Sequence, residues 1–150
     1  MINVFNTVFE ISLRVLLILE SSNKPMTADM LTAVDLITVH GKEFGVLDFN
    51  LHGDNQFNFS ENAARDATVI AAVKSLTLDG LLSIRHTNSG FAYSLSKGGT
   101  VYCAKLVSGY AEEYRSALKK TLPFLENENE PAVLKKIFRL SVNSIKPSEV

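Results

Sequence analysis

SENAARDATVIAAVKSLTLDGLLSIRHTNSGFAYSLSKGG, residues 60–99, reads as a helix, a two-stranded hairpin and the start of a further helix in unbroken succession. Ser60 is placed to cap free amides of a first turn that also carries Glu61, and Ala63, Ala67, Ile70, Val73 and Leu76 follow at helical spacing. Gly80 ends that helix by accepting the left-handed conformation, and Leu81 folds back as the apolar contact of the last turn. Leu82 to His86 then alternates inward Leu82 and Ile84 with outward Ser83 and Arg85. Asn88, Ser89 and Gly90 supply turn chemistry, and Phe91, Tyr93 and Leu95 return on one face. Ser96 caps the helix that follows, with Gly98 and Gly99 in its first turn.

This order, through Leu76, Asp79-Gly80-Leu81, Tyr93-Ser94-Leu95-Ser96 and Gly99, resembles the recognition helix, wing and exit helix of winged-helix regulators. The expected fold is therefore mainly α with a small β-hairpin, a winged-helix domain with extra C-terminal helices. Upstream, Thr7-Val8-Phe9-Glu10 has capping-box spacing and opens a first helix. Phe9, Leu13, Leu16 and Leu17 form its stripe, and Ile11, Val15, Ile18 and Leu19 make it apolar on most sides, which places it centrally. Pro25 ends a polar connection, and Thr27 caps a second helix through Leu31, Val34, Ile37 and Val39 to about His40.

A helix-turn-helix joins its two helices by a turn of three to four residues. Here residues 41–59 intervene, and a connection this long inside a domain is commonly functional or disordered. Phe44, Phe49, Phe57 and Phe59 argue against disorder. Downstream of the hairpin, one helix is expected from Gly99 to Val107. A fifth is capped by Ser108, carries Tyr110, Ala111, Tyr114, Leu118 and Leu122, and is closed by Pro123. Residues 1–125 then form the winged-helix-like domain. Residues 126–150 form an acidic linker, a helix with Pro131 in its first turn and Val133, Leu134, Ile137, Phe138 and Leu140 along it, and a tail.

The chain has 150 residues, 46% hydrophobic and 21% charged, which is the composition of one globular domain with a real core. Val15 to Leu19, bounded by Arg14 and Glu20, is far shorter than the ~20 residues of a membrane span, and no signal peptide is visible. The expectation is a cytoplasmic protein with no membrane contact. The single cysteine, Cys103, cannot form an internal disulfide and reads as a core residue. Charge is uneven: residues 1–59 carry three basic against seven acidic residues, residues 60–100 four against three, and residues 101–150 eight against six.

Asp35, His40, His52 and Asp54 are the residues best suited to bind zinc or to act as base and orienter. Their spacing forms no H-x-x-x-H or H-E-x-x-H, and no cysteine pair exists, so structural hydrogen bonding in the loop is the preferred reading. Gly98-Gly99 belongs to neither Walker A nor G-x-G-x-x-G. No enzyme activity, metal or cofactor is expected. DNA readers place Arg or Lys of the third helix on base edges and phosphates, but this helix offers Arg65 and Lys74 against Glu61, Asp66 and Asp79. Arg85 and His86 on the wing do not make up the several phosphate contacts that autonomous binding needs. Lys119, Lys120, Lys135, Lys136 and Arg139 are weak phosphate candidates or a solvated face.

Phe5-Asn6-Thr7, Glu10-Ile11, Leu13-Arg14, Leu31, Asp35-Leu36, Val39-His40, Asn50-Leu51-His52, Glu61, Leu76, Asp79-Gly80-Leu81, Phe91, Tyr93-Ser94 and Ser108-Gly109-Tyr110-Ala111 together resemble a known family. It is the small middle component of bacterial three-component systems that also contain an SMC-like ABC ATPase and a separate effector, with Lamassu-type antiviral defence systems among them. The resemblance implies a non-catalytic adaptor that joins the ATPase to an effector, often a nuclease, against phage or plasmids, and meets DNA mainly through the complex. The alternative is a winged-helix transcription regulator. The long loop is expected to carry a partner contact: Phe57 and Phe59, two apart, read as a strand pair facing the core, leaving Phe44, Leu51 and His52 as exposed contacts. His40 and Asp54 complete the interface candidates.

Overall fold

The computed structural model describes residues 6–53 and 59–143. Among them the order is α1 (Val8–Ser22), β1 (Met26–Thr27), α2 (Ala28–Val39), α3 (Phe59–Leu78), β2 (Leu82–Thr87), β3 (Gly90–Leu95), α4 (Lys97–Cys103), α5 (Gly109–Leu125) and α6 (Glu130–Asn143). The protein is mainly helical with a small antiparallel sheet of strand order β1-β3-β2.

Side-chain caps set the helix starts. Thr7, Thr27, Ser96 and Ser108 accept from the amides of Glu10, Met30, Gly99 and Ala111 at 3.2, 3.1, 3.0 and 3.1 Å. Asn129 does the same for Ala132 at 2.9 Å, one residue before α6. The Gly80 ending also stands: its φ is +77°, and the Leu81 amide reaches back to Leu76 O at 2.9 Å. Ser96 then closes the module by donating its hydroxyl to Gly80 O at 2.6 Å and its amide to Leu81 O at 3.1 Å. Gly99 fits beneath this junction because a Cβ there would lie 2.1 Å from Leu81 O.

Several boundaries differ from the sequence reading. Helix α3 begins at Phe59, so Phe59 is not a strand residue; Phe57 lies outside the described residues. A third strand, β1, pairs Met26 with Tyr93 and Thr27 with Ala92. Helix α4 stops at Cys103 and leaves Val107 exposed. Pro123 does not end α5, which continues to Leu125, because only the final turn forgoes the amide that proline lacks.

α1 lies at the centre, with Ile11 and Val15 to Leu19 buried against α2, α3 and α5. Cys103 is in the same core, where burial pushes its thiol up to about 11. Val133 and Ile137 bring α6 onto that core as well. Along the hairpin, Leu82 is buried, but Ile84 and Phe91, expected on the inward face, are exposed, while Ala92 is buried. Among the described residues no helix is long and apolar enough to cross a membrane.

Candidate functional site

The loop after α2 is folded back on itself by its backbone. The amides of Val46 and Leu47 both donate to Gly41 O, at 2.8 and 3.1 Å, and that of Leu51 donates to Val39 O at 3.1 Å. Asn50 ties the two sides by accepting from the Lys42 amide at 3.0 Å and donating to Glu43 at 3.2 Å. Gly41 is packed so closely on Leu47 that a Cβ would meet its side chain at 2.5 Å, and Gly45 turns the chain at φ +72°.

This geometry corrects the expectation that Phe44 is an exposed contact. Phe44 is 9% exposed and belongs to the core, whereas Phe49 is 56% exposed. Leu51 is half-buried against the core, so it too is not the open contact expected. His40 is buried with its Nδ1 3.7 Å from Glu43, and Asp54 lies outside the described residues.

His52 is half-buried, its Nε2 sharing a hydrogen bond with the Tyr110 hydroxyl and its ring stacked on the Tyr110 ring at 5.7 Å. Burial, reinforced by the Arg14 charge, lowers His52 to about 4, while burial raises Tyr110 to about 12. At neutral pH both groups are therefore uncharged. The sign of the consequence is fixed: an unfolded histidine takes up a proton near pH 6.5, but the folded one resists until about pH 4. Stability should fall as pH drops through this window, by on the order of 1–2 kcal/mol after solvent screening. Urea unfolding of wild type and His52→Gln at pH 7 and pH 4.5 checks this, since the variant should lose that component of the acid dependence.

Beneath His52 and Tyr110 lies a buried ionic cluster. Arg14 of α1 donates from Nε and Nη2 to the two oxygens of Asp35 on α2, at 2.8 and 3.0 Å. Arg65 of α3 brings its Nε to 3.1 Å from Asp35, and Tyr114 of α5 donates its hydroxyl to the same carboxylate at 2.6 Å. Asn6 accepts from Arg14 at 3.0 Å and, more loosely, from Arg65 at 3.5 Å. Burial alone would raise Asp35; the charges of Arg14 and Arg65 outweigh it, with hydrogen bonds from Arg14 and Tyr114, and hold the carboxyl at about 2. Four helices thus meet on one carboxylate.

The cluster takes up Asp35, one member of the set Asp35, His40, His52 and Asp54. Asp35 is consumed by two guanidiniums and a phenol, and among the described residues no three His, Cys, Asp or Glu side chains converge as metal ligands.

Arg65 also changes the reading of α3. As a residue 2% exposed and paired with Asp35, it is withdrawn from the helix surface. Asp66 is half-buried and accepts from Thr32 at 3.0 Å. The exposed residues from 63 to 78 are then Ala63, Ala64, Ala67, Ile70, Ala71, Lys74, Ser75 and Leu78, with a single cation. Ile70 is 51% and Leu78 79% exposed. At its C-terminal end this face borders a cavity of about 290 Å³ between α1, α3 and α4, lined by Val8, Phe9, Leu13, Leu76, Leu81 and Tyr102.

The late cations do not form one patch. Lys136 pairs with Glu128 and lies 4.8 Å above the Phe124 ring, whereas Lys135 and Arg139 are exposed on α6 and Lys119 and Lys120 on α5.

Residues 4–146 match the family described as ABC-three component (ABC-3C) system Middle Component 2. Comparison with curated proteins and with solved structures returns no match. The residues that converge on Asp35, together with the apolar face of α3, lie within the matched span, and the chain belongs to the middle component 2 family of ABC-3C systems.

Proposed function

We propose that the protein is a non-catalytic adaptor of an ABC-3C system that docks on the SMC-like ABC ATPase through the outer face of α3 and links it to a separate effector, a nuclease, in defence against phage or plasmids. The observation that carries this reading is the burial of Arg65. A helix in the position of a recognition helix spends one of its two described cations on Asp35 and offers Ala67, Ile70, Ala71 and Leu78 outward instead. Such a surface suits a partner's apolar side chains, not phosphates. The element order from α1 to β3 and the strand order β1-β3-β2 support the winged-helix assignment of this part. DNA is reached mainly through the complex.

Co-expression of the tagged chain with the ABC ATPase and effector encoded beside it tests the reading. The wild type should recover the ATPase, and Ile70→Asp should reduce that recovery at least about tenfold, the loss of one central contact, without changing the unfolding midpoint. Selective, nanomolar binding of an operator by the isolated chain, weakening steeply with salt, would instead establish a transcription regulator.

A further inference from the structure

The exposed Phe49 stands beside a groove between the folded-back loop and α5, a cavity of about 310 Å³ floored by Leu47, Gly109 and Ala117 and edged by Glu112, Glu113 and Lys120. Asp48 is exposed next to it, so the rim is predominantly acidic around an apolar floor. Glu112 already pairs with Arg115 at 2.9 Å, which leaves Glu113 and Asp48 to meet an incoming cation.

The same chain carries the complementary surface. On α6, Lys135, Phe138 and Arg139 fall at i, i+3 and i+4 and are all exposed, Phe138 by 59%. This is an aromatic side chain between two cations on one helical face. Lys136 does not share it, being turned to Glu128 and Phe124.

We propose that a second copy of this chain occupies the groove, its α6 inserting Phe138 beside Phe49 over Leu47 and Ala117 while Lys135 and Arg139 face Glu113 and Asp48. The charges match in sign, and the aromatic anchor meets an apolar floor edged by polar groups, the arrangement of an interface hot spot. Groove and α6 face are different surfaces, so the contact is head-to-tail and either closes a ring or propagates. The proposal does not depend on which protein binds α3.

Sedimentation of the full chain over about a hundredfold range of concentration reads the result, because association depends on concentration by mass action. The mass should rise above the 16.5 kDa monomer. Phe49→Asp and Phe138→Asp should each weaken association at least tenfold while keeping the wild-type circular dichroism and melting point. Mixed together, these two variants retain one intact groove and one intact α6 face and should form a 1:1 complex that grows no further. Glu113→Lys and Lys135→Glu should each weaken association, and their combination in one chain should restore it. A wild type that stays at 16.5 kDa throughout, a mixture that gives no 1:1 complex, or a charge-swapped double variant that fails to recover would each overturn the proposal.

Discussion

Replacing Asp35 with alanine should destabilise the fold by about 3–5 kcal/mol, the loss expected when one partner of a buried ion pair is removed and the other charge remains. Here two guanidiniums, on α1 and α3, would lose their shared carboxylate, and the Tyr114 hydroxyl its acceptor. A loss of that size is a large share of the total stability of a single domain. Urea unfolding at pH 7 measures it. Acid should reproduce part of the effect in the wild type. The carboxyl is held at about 2, below its unfolded value, so its contribution is complete above the unfolded value and is lost as pH falls from roughly 4 toward 2. An Asp35→Ala variant that unfolds within 1 kcal/mol of wild type, a bound taken as about the median worth of an exposed pair, would remove the cluster from the account of stability.

The second large effect separates two phenylalanines five positions apart. Phe44→Ala should cost about 2–4 kcal/mol, toward the lower part of the range for phenylalanine because its edge reaches the surface. Phe49→Ala, at a side chain 56% exposed, should stay within about 0.5 kcal/mol. Parallel unfolding curves decide, and equal losses would mean that the loop does not hold Phe44 in the core.

The sequence carries the caps Thr7, Thr27, Ser96 and Ser108 openly because each is a local event, a hydroxyl three residues before an amide it can reach, whereas the cap expected at Ser60 is not one, since α3 already begins at Phe59. The hairpin and Gly80 are legible for the same local reason, whereas the inward facing expected of Ile84 and Phe91 is not met. Phe44 and Phe49 could not be told apart by period, since their side is fixed by the Gly41 carbonyl, the Asn50 side chain and Gly45 at positive φ, none of which leaves a repeat. β1 is two residues long and shows only when β3 comes beside it. The ionic cluster left a trace that sequence reasoning passed over: Arg14 sits inside the apolar run Ile11 to Leu19, and Asp35 inside Leu31 to Val39. A charge in the middle of a helix that is apolar all round asks for a buried partner. That this partner is shared with Arg65 required the packing of α3, because the three residues lie on separate helices. With Arg65 counted as surface charge, the apolar character of the α3 face was likewise hidden.

The measurement closest to the central claim is amide hydrogen exchange of the full chain alone and bound to its ABC ATPase. If α3 is the docking face, peptides spanning residues 63–78 should gain protection in the complex, and Ile70→Asp should abolish that gain while leaving the exchange of α1 unchanged. Protection confined to other elements, or an ATPase that leaves exchange unaltered at saturating concentration, would contradict it.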